Sequence, residues 1–145
     1  MGILNLVAVI GALGMFALAP SSATAVPATN SGEDTQTTQG GGVTVAVTRQ
    51  EADYGLTFKV VMDTHSVNLD TYDLLQLAVL RTDQGLEVHP IAWDAPPGGH
   101  HREGLLTFPA TLEDGNPVIG SQTADFELVI RDIAGVPERT ARWAL

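Results

Sequence analysis

Beyond residue 43, apolar side chains recur at every second position through most of the chain, and a period of two specifies strands rather than helices. In Val43-Thr44-Val45-Ala46-Val47-Thr48 the valines fall on one face. Leu56, Phe58, Val60 and Met62 face inward, while Thr57, Lys59 and Asp63 face out. Phe126, Leu128 and Ile130 alternate with Glu127, Val129 and Arg131, and Ala141, Trp143 and Leu145 with Thr140 and Arg142. Between those two runs, Ile133-Ala134-Gly135-Val136-Pro137 reads as a hairpin turn. Thr82-Asp83-Gln84-Gly85 marks another hairpin, joining residues 75–81 to 86–93. Residues 105–108 fit a further short strand, closed by Pro109. The leucine spacing of residues 69–80 also suits one or two helical turns, with Asp70 or Asp73 as N-cap. The second half of that stretch is read as a strand, because the Asp83–Gly85 turn needs a partner before it. About seven strands at such spacing in one domain predict an all-β fold, an antiparallel immunoglobulin-like β-sandwich over residues 43–145.

Two segments precede that domain. Residues 3–19 read ILNLVAVIGALGMFALA, without a charged side chain, and Ala23 and Ala25 supply the small residues of an Ala-x-Ala cleavage site. Residues 1–25 are therefore expected to be a signal peptide cleaved after Ala25, or a membrane anchor if retained. Residues 26–42, VPATNSGEDTQTTQGGG, hold almost nothing that can be buried and read as a flexible linker. The expected location is extracytoplasmic: periplasmic, cell-surface or secreted. Contact with a membrane is expected only through the N-terminal segment, if uncleaved.

Composition removes whole classes of function. With 7 Lys and Arg against 17 Asp and Glu, a net charge of −10, the chain lacks the basic patch that nucleic acid demands. It has no Cys, which excludes disulfides, thiolate zinc sites, iron–sulfur clusters and cysteine nucleophiles. No Gly-x-Ser-x-Gly, His-Glu-x-x-His or phosphate-binding glycine loop is present, and no enzymatic activity is expected.

The polar residues gather in two clusters. One is Asp63-Thr64-His65-Ser66-Val67-Asn68-Leu69-Asp70, where strand parity puts Asp63 and His65 on the same, outer side. The other is Trp93-Asp94-Ala95-Pro96-Pro97-Gly98-Gly99-His100-His101-Arg102-Glu103-Gly104, read as an exposed loop able to aim neighbouring side chains at one point. If the two meet at one end of the sandwich, His65, His100 and His101 with Asp63 would form a Cys-free site for Cu(II) or Zn(II). Alternatively, His65 fixes a turn while His100 and His101 cap loop carbonyls or pack on Trp93. Asp63, Asp70, Asp73 and Asp94 raise a lesser possibility of Ca²⁺ binding, without the spacing of an EF-hand. His89 reads as an ordinary strand or edge residue.

Asp63-Thr64-His65-Ser66-Val67, Leu77-Ala78-Val79-Leu80-Arg81, Trp93, Pro96-Pro97-Gly98-Gly99-His100-His101-Arg102 and Val129-Ile130-Arg131-Asp132-Ile133 together resemble a group of exported prokaryotic proteins. That group pairs a signal or lipoprotein segment with a small β-sandwich domain and has no established activity. The resemblance covers residues 43–145 and implies a cell-envelope protein. No Cys follows the apolar run, so no lipid attachment is expected there. Copper-handling periplasmic β-sandwiches are similar in size and architecture, but their ligand motifs do not align with this chain. The expected function is thus an envelope binding module with a metal ion or an envelope protein as partner. The alternative is a structural or adhesive domain without a ligand, assembling by strand addition.

Overall fold

A computed structural model of the chain describes residues 26–30 (backbone only), 35–50 and 56–145. The expected signal segment and its cleavage point after Ala25 lie outside the described residues. The strands are Val26–Asn30 (β1), Thr35–Gly40 (β2), Val43–Gln50 (β3), Leu56–Thr64 (β4), Ala78–Thr82 (β5), Glu87–Val88 (β6), Ala92–Asp94 (β7), His101–Phe108 (β8), Asp125–Ile133 (β9) and Val136–Ala144 (β10). A 3-10 turn at Leu69–Thr71 and a single helical turn at Leu74–Leu77 (α1) lie between β4 and β5.

Every pairing between these strands is antiparallel. One sheet runs β1-β2-β3-β4-β8-β7 and the other β10-β9-β5-β6. Within them, β3-β4-β8-β7 reproduces the A-B-E-D sheet of an immunoglobulin domain, and β10-β9-β5 its G-F-C sheet, with β6 added beside C. The expected immunoglobulin-like sandwich is the observed one. The β1–β2 hairpin is an addition outside strand A.

The alternation read from the sequence is the alternation of burial. Val43, Val45, Val47, Phe58, Val60, Met62, Leu128 and Ile130 all lie in the core. At its centre Phe58 packs edge-on to Phe108 at 5.9 Å and meets Trp143 at 5.2 Å, while Phe126 stacks on Trp143 at 5.6 Å. Edge-on and offset-stacked ring pairs add to plain area burial through the interaction of their quadrupoles. The ambiguous stretch at 69–80 resolves as both alternatives in succession: Asp73 caps α1, accepting from Leu75 N at 3.0 Å, and β5 follows immediately. The Ala134–Gly135 and Asp83–Gly85 turns join β9 to β10 and β5 to β6.

Three expectations need correction. First, residues 26–42 are not a tether throughout, since β1 and β2 are sheet strands. β2 has no apolar side chain to announce it. Its ladder with β3, from Thr35↔Thr48 to Gly40↔Val43, stands on backbone hydrogen bonds and a Thr35–Thr48 hydroxyl contact of 2.7 Å. Its inward residues, Gln36 and Thr38, are polar and buried. Gly41 and Gly42, both at positive φ, close the β2–β3 turn.

Second, Val129 is not on a solvent face. It and its cross-strand partner Val79 are almost fully buried, although both point away from the main core. Around them on that outer face Arg81 binds Glu127 at 2.6 Å, and Arg131 binds Glu87 at 3.0 Å and Glu138 at 3.2 Å. The aliphatic stems of such arginines cover apolar surface while their heads stay paired. Third, Leu145 lies 57% exposed past the end of β10, rather than continuing the inward row of Ala141 and Trp143.

At one end of the sandwich, Arg139 is buried and pairs with no carboxylate among the described residues. Its guanidinium donates to Val43 O at 3.2 Å, Gly40 O at 2.7 Å and Ile133 O at 3.4 Å, tying the β2–β3 turn to the β9–β10 hairpin. Burial pulls its pKa below the ordinary guanidinium value.

Candidate functional site

The two polar clusters do meet, and they meet through backbone as much as through side chains. β4 ends at Thr64 and β8 begins at His101, so the segments that follow and precede them share one end of the first sheet. Thr64 N donates to His100 O at 3.0 Å, and Leu69 N to Gly99 O at 2.8 Å. Asp70 extends one carboxylate across the gap: Oδ1 accepts from Gly98 N at 2.8 Å and Oδ2 from Gly99 N at 3.1 Å. Two N–H donors on one carboxylate are charge-assisted and fix its orientation. The glycines are required here. A Cβ at Gly98 would fall 1.8 Å from His101 O, and Gly99 sits at φ 64°.

Arg102 closes the clasp from the inside. Counting back from Leu106 through Gly104, it occupies an inward position of β8, opposite Met62. Its guanidinium donates to Tyr72 O at 2.8 Å and Leu69 O at 3.2 Å, lies 4.0 Å from the Asp70 carboxylate, and sits 5.6 Å from the Trp93 ring centroid. Tyr72 in turn accepts a hydrogen bond at its hydroxyl from Ala134 N, 3.1 Å away. One arginine thereby links the 69–72 turn, the Trp93 strand and β8.

The four expected metal ligands divide differently. Asp63 and His101 are register partners on β4 and β8, and Nδ1 of the imidazole hydrogen-bonds the carboxylate on the outer face. His101 therefore belongs to a strand rather than to the loop. His65 and His100 are exposed in the adjoining loop segments, and their side chains make no hydrogen bond among the described residues. No three His or carboxylate side chains come close enough to hold a metal ion among the described residues. Asp70 and Asp73, weighed above for Ca²⁺, accept hydrogen bonds from backbone N–H groups. The Arg102 guanidinium lies over the Trp93 ring. His89 lies exposed just past β6.

The Asp63 hydrogen bond, and then the carboxylate's charge, raise the His101 pKa above the ordinary 6.5. A raised folded-state value means that this contact stabilises the fold fully below the unfolded imidazole pKa, and that its contribution fades as pH climbs through the folded one. Both groups are largely exposed, so the effect on stability is small and the spectroscopic one is the measurable quantity. NMR titration is expected to place His101 above 6.5, with Asp63→Asn returning it toward that value; an unshifted His101 in the parent would contradict the pairing.

Arg102 and Asp70 were not legible as a clasp beforehand. Strand parity alone would have put Arg102 inside, but an arginine beside Gly-Gly-His-His reads as a loop residue. Comparison of the chain with protein families, curated proteins and solved structures finds no match.

Proposed function

We propose that the protein is an extracytoplasmic, non-enzymatic immunoglobulin-like module of the cell envelope, with a structural or adhesive role, whose His-bearing segments brace the fold. The observation that carries this reading is the clasp: Asp70 is committed to the Gly98 and Gly99 amides, and Arg102 to the Leu69 and Tyr72 carbonyls. Groups engaged in that way are positioned by the fold and unavailable to a ligand. Placement outside the cytoplasm rests on the apolar run of residues 3–19 and the small residues Ala23 and Ala25. Without Cys, such a domain stands on β packing alone.

A transition-metal module is the second reading. It is favoured by the exposed Asp63–His101 pair and by the proximity of His100 to that end of the sheet. One titration separates the two. Calorimetry of the full chain with Cu(II) and with Zn(II) is expected to show no binding tighter than that of a peptide His pair. Tighter binding that is lost in both His101→Ala and His65→Ala would establish the metal module instead.

A further inference from the structure

At the opposite end of β8 from the clasp, the connection to β9 spans residues 109–124 without helix or strand of its own beyond an isolated bridge. Connections longer than about 12–15 residues are uncommon in compact domains and usually carry function. This one is ordered. Leu112 N donates to Asn116 O at 2.8 Å, Val118 N donates to Ala110 O at 2.9 Å, and the Val118 side chain is buried in the core. Further on, Gly120 and Thr123 exchange hydrogen bonds of 3.1 Å, from Gly120 N to the Thr123 hydroxyl and from Thr123 N to Gly120 O. Gln84, on the β5–β6 turn, donates to Gln122 O at 2.7 Å and brings the two loops together around a recess of about 280 Å³.

The chemistry of this recess differs from the rest of the surface. The chain carries a net charge of −10, yet among the described residues no ionisable side chain lines the recess. Leu86 and Pro117 supply its apolar side, Val118 being buried in the core. Opposite it stand neutral groups with unused capacity. Gln84 has its amide oxygen left to accept, Thr123 its hydroxyl proton left to donate, and the Ser121 hydroxyl makes no hydrogen bond among the described residues. We propose that this recess binds one ring of a neutral saccharide. The apolar side suits the C–H face of a pyranose, while amide and hydroxyl groups suit its vicinal hydroxyls. A phosphate or carboxylate would find no counter-charge there. The volume sits at the lower limit of ligand pockets, about 300 Å³, which admits a single ring rather than a chain. Among the described residues no aromatic platform lines the recess, so affinity for one sugar unit belongs in the millimolar range.

The proposal does not depend on the clasp, and the two fail separately. The test is an amide-shift titration of the full chain with neutral hexoses and N-acetylhexosamines, with glucuronate as the charged control. Shifts confined to residues 82–86 and 117–123, saturating at millimolar sugar and absent with glucuronate, are expected. Ser121→Arg, an exposed position at the mouth, and Gln84→Ala should each weaken binding roughly tenfold, about 1.4 kcal/mol, without disturbing amides elsewhere. Failure of every neutral sugar to move those amides would overturn the proposal, as would equal binding of glucuronate or full binding by Ser121→Arg.

Discussion

Replacing Arg102 with alanine is expected to cost the fold about 3 kcal/mol, because two hydrogen bonds from a charged donor disappear and the carbonyls of Leu69 and Tyr72 lose that partner in a half-buried setting. Loss of the contact with Trp93 adds to this. For a domain of this size the midpoint of thermal unfolding should fall by roughly 10–20 °C. Arg102→Lys is the informative companion. Nη1 alone donates to both carbonyls, but lysine has no planar group to lie over the Trp93 ring and no second nitrogen near Ala95 O, so it should recover less than half of the loss. Differential scanning calorimetry of the three proteins settles it, and a loss below about 1 kcal/mol in Arg102→Ala would mean that the loops hold themselves.

Gly41→Ala is expected to be as damaging, for a different reason. The residue sits at φ 58°, where an L side chain already costs about 1–2 kcal/mol. A Cβ there would also fall 2.1 Å from Ala134 O and 3.0 Å from Ala134 Cβ, so the β2–β3 turn and the β9–β10 hairpin must separate. Their separation disturbs the Arg139 hydrogen bonds that join the same two turns. A total of about 3 kcal/mol follows, the backbone part plus the repacking. Gly85→Ala supplies the control. Its φ is 81°, but no atom lies within 4 Å of the new Cβ, so it isolates the backbone part. Chemical denaturation should therefore rank Gly41→Ala well below Gly85→Ala in stability, and equal values would refute the close-approach argument.

Much of this architecture was readable from residue order, because wherever the inward positions were aliphatic or aromatic the pattern of burial followed the pattern of sequence. The rows Val43–Val45–Val47 and Phe58–Val60–Met62 are of this kind. It failed where inward positions are polar or lack a side chain. β2 points Gln36 and Thr38 inward, and the start of β8 points Arg102 and Gly104 inward, so both stretches resembled loops. In each case the burial is made tolerable by specific carbonyl partners, which only the folded chain brings near. The expected site met the same limit. Asp63 and His101 adjoin through the β4–β8 register, which the loop reading of residues 93–104 did not contain, and gathering His65 and His100 with them required side-chain directions in loops that no periodicity encodes.

Gln36 also bears on the free edge of the second sheet. Its side-chain oxygen accepts from Arg142 N at 2.9 Å, and its amide nitrogen donates to Arg142 O. A single glutamine thus occupies on β10 the donor and acceptor that an incoming strand would take. The edges at β6 and β7 are only 2 and 3 residues long and offer little template for pairing. A fragment beginning at Val43, the boundary that hydropathy alone suggests, would uncover β3 along its length and free the outer rim of β10. The polar strand β2 therefore covers backbone edge on both β3 and β10.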